Sequence, residues 1–245
     1  MAQFSLSIAG YTAAVTSLFD STRDYCARYL SHEMADFSVT VTREDLVFEQ
    51  AFLDREADEE GLRRRVFTDP FLERAAIQRQ VAEALLSRGV LLLHGSAVAV
   101  DGKGYLFTAK TGTGKSTHTR LWRQVFDNRA VMINDDKPFV SVAPDGCRLW
   151  GAPWSGKHGL DTNLTVPLAG ICILERGSEN VIAPADPADV AAFLAHQCQL
   201  PRDTLALPRF HVLLQGLLDT VPLWQMACTI SPEAAQLAHQ TMSQI

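Results

Sequence analysis

Alternation of apolar and polar positions opens the chain. "QFSLSIAG" repeats with the period of two that a half-buried strand requires. Over residues 12–30 the apolar positions Val15, Leu18, Phe19, Tyr25, Cys26 and Tyr29 fall at roughly helical spacing, which predicts a helix there. "DFSVTVT" is alternating and β-branched and predicts a strand. Thr42 with Asp45 then has the outline of a capping box opening a further helix. Residues 1–68 are therefore expected to form a small α/β layer.

"TDPFLERAAIQRQVAEALLSRG" carries the clearest helical pattern, with Asp69 as N-cap, Pro70 at the first helical position and Gly89 at the exit. A dense run of strands follows. "VLLLHGSAVAV" and "GYLFTA" flank "DGKG", and Asp-Gly between apolar runs is a hairpin signal. Further strands are predicted near residues 131–133, 139–142 and 169–174. "PADVAAFLAHQC" and residues 210–218 read as helices, "VPLWQMACT" as a strand and "SPEAAQLAHQTM" as a closing helix. Residues 69–245 thus predict a hairpin-rich α/β unit, without the strict strand–helix alternation of a doubly wound fold.

Composition narrows the function classes. The 245 residues are 47% hydrophobic and 20% charged, enough for a sizeable core. A net charge of -6 predicts no general attraction to nucleic acid or to an anionic membrane. The basic cluster Arg63, Arg64 and Arg65 follows an acidic run and reads as a solvated face. "AQFSLSIAGY" after Met1 has neither a basic n-region nor a long apolar core, so a secretory signal is not expected. The apolar run "VLLL" is far too short to span a bilayer. The five cysteines are scattered and form no C-x-x-C pair, which predicts reduced thiols and a cytoplasmic setting.

The chemistry is concentrated in "FTAKTGTGKSTHTRLW". A phosphate loop follows G-x-x-x-x-G-K-[ST]; Ala109 stands here at the first glycine position. Backbone amides of Thr111, Gly112, Thr113, Gly114, Lys115, Ser116 and Thr117 would cradle phosphate, with Gly112 and Gly114 supplying positive φ angles. Lys115 would bridge the β- and γ-phosphates, and the Ser116 hydroxyl would hold Mg²⁺. Ala109 is tolerable if its φ is negative. Downstream, "VMINDDKPF" ends an apolar strand in Asp135 and Asp136: one carboxylate for the metal, one to accept a proton. His94 ends the apolar strand "LLLH", where a histidine is commonly structural.

Taken together, H-G-x-x-V at His94, the hairpin, the glycine loop and the aspartate pair resemble the HPr kinase/phosphorylase family over residues 72–176. That family shares its fold with ATP-dependent phosphoenolpyruvate carboxykinases, so the resemblance implies a hairpin-rich phosphate-loop core of that kind and ATP-dependent phosphoryl transfer. It places His94, Lys115, Ser116, Asp135 and Asp136 at the family's histidine, lysine, hydroxyl and acidic-pair positions. Nothing here resembles the family's C-terminal signature or its N-terminal domain, so HPr does not follow as the substrate.

The roles that follow are Lys115 on the β/γ-phosphates, Ser116 and Asp136 on Mg²⁺, Asp135 as base, and His94 orienting that carboxylate. "GAPWSGKHGLDTN" contributes Lys157, a candidate for holding the transferred group or an anionic substrate, and Trp154 as an aromatic wall on a glycine-flanked lid. His118 and Arg120 lie near the nucleotide in sequence, and helix packing accounts for both. The expected partners are a nucleotide and a serine-like hydroxyl acceptor, with room for self-association into a homo-oligomer. A carboxykinase-type lyase and a nucleotide-gated module without turnover are the alternatives. The first would normally be longer and richer in arginine, and the second would not need the full Lys-Ser-Asp-Asp set.

Overall fold

The computed structural model describes residues 1–59 and 61–244, with the Lys157 side chain outside that description. The chain is mixed α/β and forms two compact units, Met1–Ala84 and Leu85–Ile245.

In the first unit, β1 (Ala2–Ile8) and β2 (Tyr11–Ser17) form a hairpin, followed by α1 (Asp20–Tyr25), β3 (Leu30–Ser31), β4 (Phe37–Thr40), α2 (Arg43–Glu59) and α3 (Asp69–Leu86). The sheet order is β3-β1-β2-β4, with β4 parallel to β2. The helix predicted over residues 12–30 is therefore a strand and one short helix. Ala9 and Gly10 both have positive φ and turn the chain back sharply. Residues 11–17 then pair with β1 on one side and β4 on the other, and that pairing outweighs the helical spacing. The Thr42–Asp45 cap forms as predicted, Thr42 N donating to Asp45 Oδ2 at 3.0 Å. At α3 the cap lies one residue earlier than predicted: Thr68 O accepts from Phe71 N and Leu72 N, while Asp69 pairs with Arg43. α3 is tied by buried charge to the segment between β2 and α1, to α1 and to α2. Glu73 accepts from Leu18 N, Phe19 N and the Thr22 hydroxyl. Arg79 reaches Glu49 at 2.5 Å and Asp45 at 3.0 Å.

The second unit contains β5 (Val90–Leu92), β6 (Ser96–Val100), β7 (Lys103–Thr108), α4 (Lys115–Phe126), β8 (Ala130–Asn134), β9 (Phe139–Ala143) and β10 (Gly146–Trp150). These are followed by β11 (Thr165–Arg176), β12 (Val181–Pro184), α5 (Pro187–Gln197), α6 (Leu207–Thr220), β13 (Leu223–Cys228) and α7 (Pro232–Met242). The strand order is β5-β9-β10-β11-β7-β6-β8, with β13 also paired to β11 and β12 to β13. The sequence pattern predicts no strand at β10 or β12; both are short, β10 lying between β9 and β11 and β12 pairing only with β13 at the edge, and neither has a strong pattern of its own. Asp101 and Gly102 have φ of 50° and 78°, the turn that the Asp-Gly hairpin signal requires.

Both faces of this sheet are covered, which explains its continuous apolar runs. Val98, Val100, Tyr105 and Phe107 pack with Leu121 and Trp122 of α4 and with Ala234, Ala235 and Ala238 of α7. The alternate residues Ala97, Ala99 and Leu106 pack with Val190 and Leu194 of α5 and with Phe210 and Leu217 of α6. A one-residue slip in register would exchange these two sets. Burial pushes the thiols of Cys147 and Cys198 up to about 11 and about 12, and Cys172 higher still, so these act as small apolar core residues. No disulfide joins the described cysteines, and no described helix is long and apolar enough to cross a membrane.

Where β10 leaves the sheet, Gly151 passes so close to Thr162 that a Cβ would sit 1.8 Å from the Thr162 carbonyl oxygen. Gly151→Ala is expected to lower the unfolding free energy measured by urea titration by about 3 kcal/mol, at the upper end for overpacking. Gly102→Ala, which meets open space and pays only for its positive φ, is expected to cost about 1 kcal/mol. Equal shifts for the two would show that the 151–162 crossing is not tight.

Candidate functional site

β7 ends at Thr108 and α4 begins at Lys115, so the six intervening residues form a loop at the end of the strand. Gly112 and Gly114 have φ of 76° and 125°. Ala109 is outside the positive-φ region, as its Cβ demands, and is 1% exposed. Its methyl group belongs to the apolar cluster under α4, which is a physical reason for alanine at that position. No side chain caps the N-terminus of α4. An uncapped helix start behind a glycine loop presents amide dipoles to an anion. Lys115 folds back over the loop, its Nζ donating to Ala109 O at 3.1 Å. Arg176, from the end of β11, donates to Gly112 O at 2.6 Å and to Thr113 O at 3.4 Å. Arg176 has no signature in the sequence, because only the parallel pairing of β11 with β7 brings it to the loop.

β8 carries the acidic pair to the same edge. The Asp135 Oδ1 accepts from Ser96 Oγ at 2.6 Å, and Ser96 Oγ lies 2.7 Å from Thr119 Oγ1. Ser96 has one hydroxyl proton and gives it to the carboxylate, so Thr119 donates to Ser96. This chain links Asp135 to Thr119 in the second turn of α4. Asp136 Oδ1 lies 3.5 Å from His94 Nε2 and 3.7 Å from Lys137 Nζ. Burial holds the His94 imidazole down at about 3, with Lys137 and Lys115 reinforcing the effect, so the ring is neutral near pH 7.

Asn134 was not predicted as a site residue, yet it organises this corner. It is fully buried. Its Nδ2 donates to Ala152 O at 2.7 Å and Trp154 O at 3.3 Å, and its Oδ1 accepts from Asp136 N at 2.8 Å and Lys137 N at 2.6 Å. Both donors and both acceptor positions of the amide are used. The segment 151–159 is consequently not a lid hinged at its glycines. Residues 151–155 are buried, and Ser155 Oγ donates to Asp161 Oδ2 at 2.6 Å. Trp154 is 5% exposed and packs edge-on against Phe139, so it supports the core and does not wall a substrate. Gly156 backs directly onto Asp136, with 3.3 Å from its ideal Cβ position to Asp136 Cβ. Lys157 follows in the short turn Gly156–His158, and the role assigned to its side chain lies outside the described residues.

His118 belongs to the packing of α4. Trp122 Nε1 donates to His118 Nε2 at 3.0 Å, which leaves the ring proton on Nδ1. Burial depresses His118 to about 4. Arg120 does not pack inward and is exposed on the face of α4 that also carries Ser116.

Two clefts flank the loop. One of about 600 Å³ lies between Gly112, Leu121, Leu174, Arg176 and Ile230. The other, of about 400 Å³, is bounded by Ser116, Arg120, Arg123, Asp135, His158 and Leu160. No group of three or more His, Cys, Asp or Glu side chains among the described residues is arranged to hold a metal alone. The oxygen donors available, the Ser116 hydroxyl and the two carboxylates, suit a hard cation that takes its remaining ligands from phosphate and water.

Two expectations follow from this geometry. Asn134→Asp removes both donors to the 152–154 backbone and adds charge beside two carboxylates. It should cost about 2 kcal/mol or more and lower the melting temperature by roughly 4–8 °C; an unchanged melting curve would remove Asn134 as the organising residue. His118 has a folded value below its unfolded one, so its contribution to stability is full above about pH 6.5 and declines as pH falls toward about 4. Imidazole NMR should find His118 neutral at pH 5. Protonation near pH 6.5 would contradict its burial.

Residues 72–202, more than half of the 245-residue chain, match the family described as SynChlorMet cassette protein ScmC. No curated protein matches the sequence. Among solved structures, the Hpr(Ser) kinase/phosphatase from Coxiella burnetii aligns with 62% of this chain and 92% of its own, at 10% identity and a TM-score of 0.36. The matched family is thus ScmC, and not the HPr kinase/phosphorylase family that the loop and acidic pair resemble in sequence. The chain belongs to the ScmC family of SynChlorMet cassette proteins.

Proposed function

We propose that this protein is an ATP-dependent phosphotransferase with an HPr-kinase-like phosphate loop, moving the γ-phosphoryl group to a hydroxyl acceptor. The observation that carries the reading is the convergence of four features: the glycine loop, the uncapped start of α4, Lys115 folded onto Ala109 O, and the Asp135–Asp136 pair with neutral His94. Phosphoryl transfer asks for positioning and charge neutralisation, and these groups supply both.

The loop amides and α4 bind the phosphates, and Lys115 exchanges the Ala109 carbonyl for phosphate oxygens. Arg176 keeps the Gly112 and Thr113 carbonyls turned away from the anion, leaving their amides for it. Asp135 borders the smaller cleft and takes the proton of the acceptor hydroxyl as its oxygen bonds to phosphorus; the bond to the β-phosphate bridging oxygen breaks and ADP leaves. Asp136 and Ser116 would hold Mg²⁺, which neutralises charge on the phosphates when bound. His94, kept neutral, contacts Asp136 without competing for the anion as a cation would. The five cysteines, none of them in a disulfide and four of them buried, are compatible with a reducing, cytoplasmic setting.

Calorimetric titration with Mg-ATP tests the loop. Lys115→Ala should weaken binding about ten- to hundredfold, the worth of a charge-assisted hydrogen bond or two; equal affinities would sink the assignment. Asp135→Asn should retain Mg-ATP binding and lose about 10²–10⁴-fold in the rate of ADP release. Asp136→Asn should instead raise the Mg²⁺ concentration needed, and the reverse pattern would exchange the two roles.

A further inference from the structure

The smaller cleft contains charge that nucleotide binding does not use. Arg120 and Arg123 lie three residues apart on α4, on the same face as Ser116 and Thr119, and both are exposed. This protein carries a net charge of -6, and Arg43, Arg64, Arg79 and Arg129 all pair with carboxylates. Arg120 and Arg123 have no such partner among the described residues. The same cleft is lined by His158, from the turn after the pinned 151–155 segment, and by the apolar pair Met132 and Leu160. Asp135, 8% exposed, lines it too, and its carboxylate accepts from the neutral Ser96 hydroxyl.

We propose that this cleft is the acceptor subsite, and that the acceptor carries an anionic group, phosphate or carboxylate, held by Arg120 and Arg123. This rests on the phosphotransferase reading and adds the chemical class of the substrate to it. A neutral hydroxyl compound would leave both guanidinium groups idle. An acceptor with an oxyanion would engage their planar donor forks, which match phosphate and carboxylate geometry. Its reacting hydroxyl would then fall on the Asp135 side of the cleft, next to Ser116 and the start of the loop. The volume of about 400 Å³ suits a small molecule or the end of a short segment. The arginines also give the acceptor side of an otherwise acidic protein a local positive field, which speeds anion capture and makes it salt-dependent.

The test uses the intact protein with Mg-AMPPNP, a nonhydrolysable ATP analogue, filling the loop so that added anions cannot occupy it. Inorganic sulfate and acetate, standing in for phosphate and carboxylate, are then titrated calorimetrically into wild type and R120Q/R123Q. The expected result is uptake of at least one of these anions by the wild type, weakened roughly tenfold or more in the double variant. The AMPPNP affinity itself should be the same in both proteins. No anion uptake by the nucleotide-loaded wild type, or equal uptake by the variant, would overturn the subsite and leave the nucleotide assignment standing. Failure of the wild type to bind AMPPNP would instead overturn the phosphotransferase reading, and it is read from the first titration before any anion is added.

Discussion

The geometry of the candidate site depends on one buried amide. Asn134 closes β8, and its side chain holds two pieces of backbone at once: the turn carrying Asp136 and Lys137, and the segment 152–154. A buried amide that satisfies four hydrogen bonds is strongly directional, because losing any one leaves a polar group without water. This fixes where the acidic pair stands relative to the wall formed by residues 151–161. Asp135 N, donating to Leu160 O at 3.1 Å, and Thr162 N, donating to Ile133 O at 3.1 Å, extend the same clasp.

The second constraint is the two-sided sheet. β11 runs through its middle, pairing with β10 by its first residues, with β7 through its centre and with β13 by its last. Because β11 is parallel to β7, its C-terminal end arrives where the glycine loop begins, and Arg176 meets the loop carbonyls there. α4 is held by Trp122 among Tyr105, Phe107 and Phe126, so the helix start is aimed by core packing. The Asp135–Ser96–Thr119 hydrogen bonds then tie that helix to the acidic pair. Loop, helix and carboxylates thus share one rigid support, as a site that works by preorganised charge requires.

Much of this was legible in the sequence, for identifiable reasons. Strong local signals survived: the Asp101-Gly102 hairpin, the capping pair Thr42 and Asp45, the glycine exit at Gly89 and the run of apolar strands. The glycine loop and the aspartate pair were visible because their function imposes residue types at fixed spacing. What the sequence hid were contacts set by tertiary pairing. Residues 12–30 have helical spacing throughout, but strand partners on both sides of residues 13–16 decide the conformation of the first part. Asn134 reads as one more polar residue at a strand end, and nothing local shows that its side chain is fully enclosed. Trp154 and the 151–159 glycines resembled a lid, because flanking glycines look alike whether they hinge a loop or let two backbones cross closely. Arg176 and the Arg120–Arg123 pair acquire meaning only once the strands and α4 are in place.

The central claim is that the loop between β7 and α4 receives the triphosphate, with the acceptor on the Asp135 side of α4. A crystal structure of the protein with Mg-AMPPNP tests it most directly. The account predicts phosphates along the amides of residues 111–117, Lys115 Nζ released from Ala109 O onto phosphate oxygens, and the base in the cleft of about 600 Å³ beside Leu174 and Ile230. Nucleotide bound elsewhere, or a triphosphate on the loop with Lys115 still on Ala109 O, would contradict it.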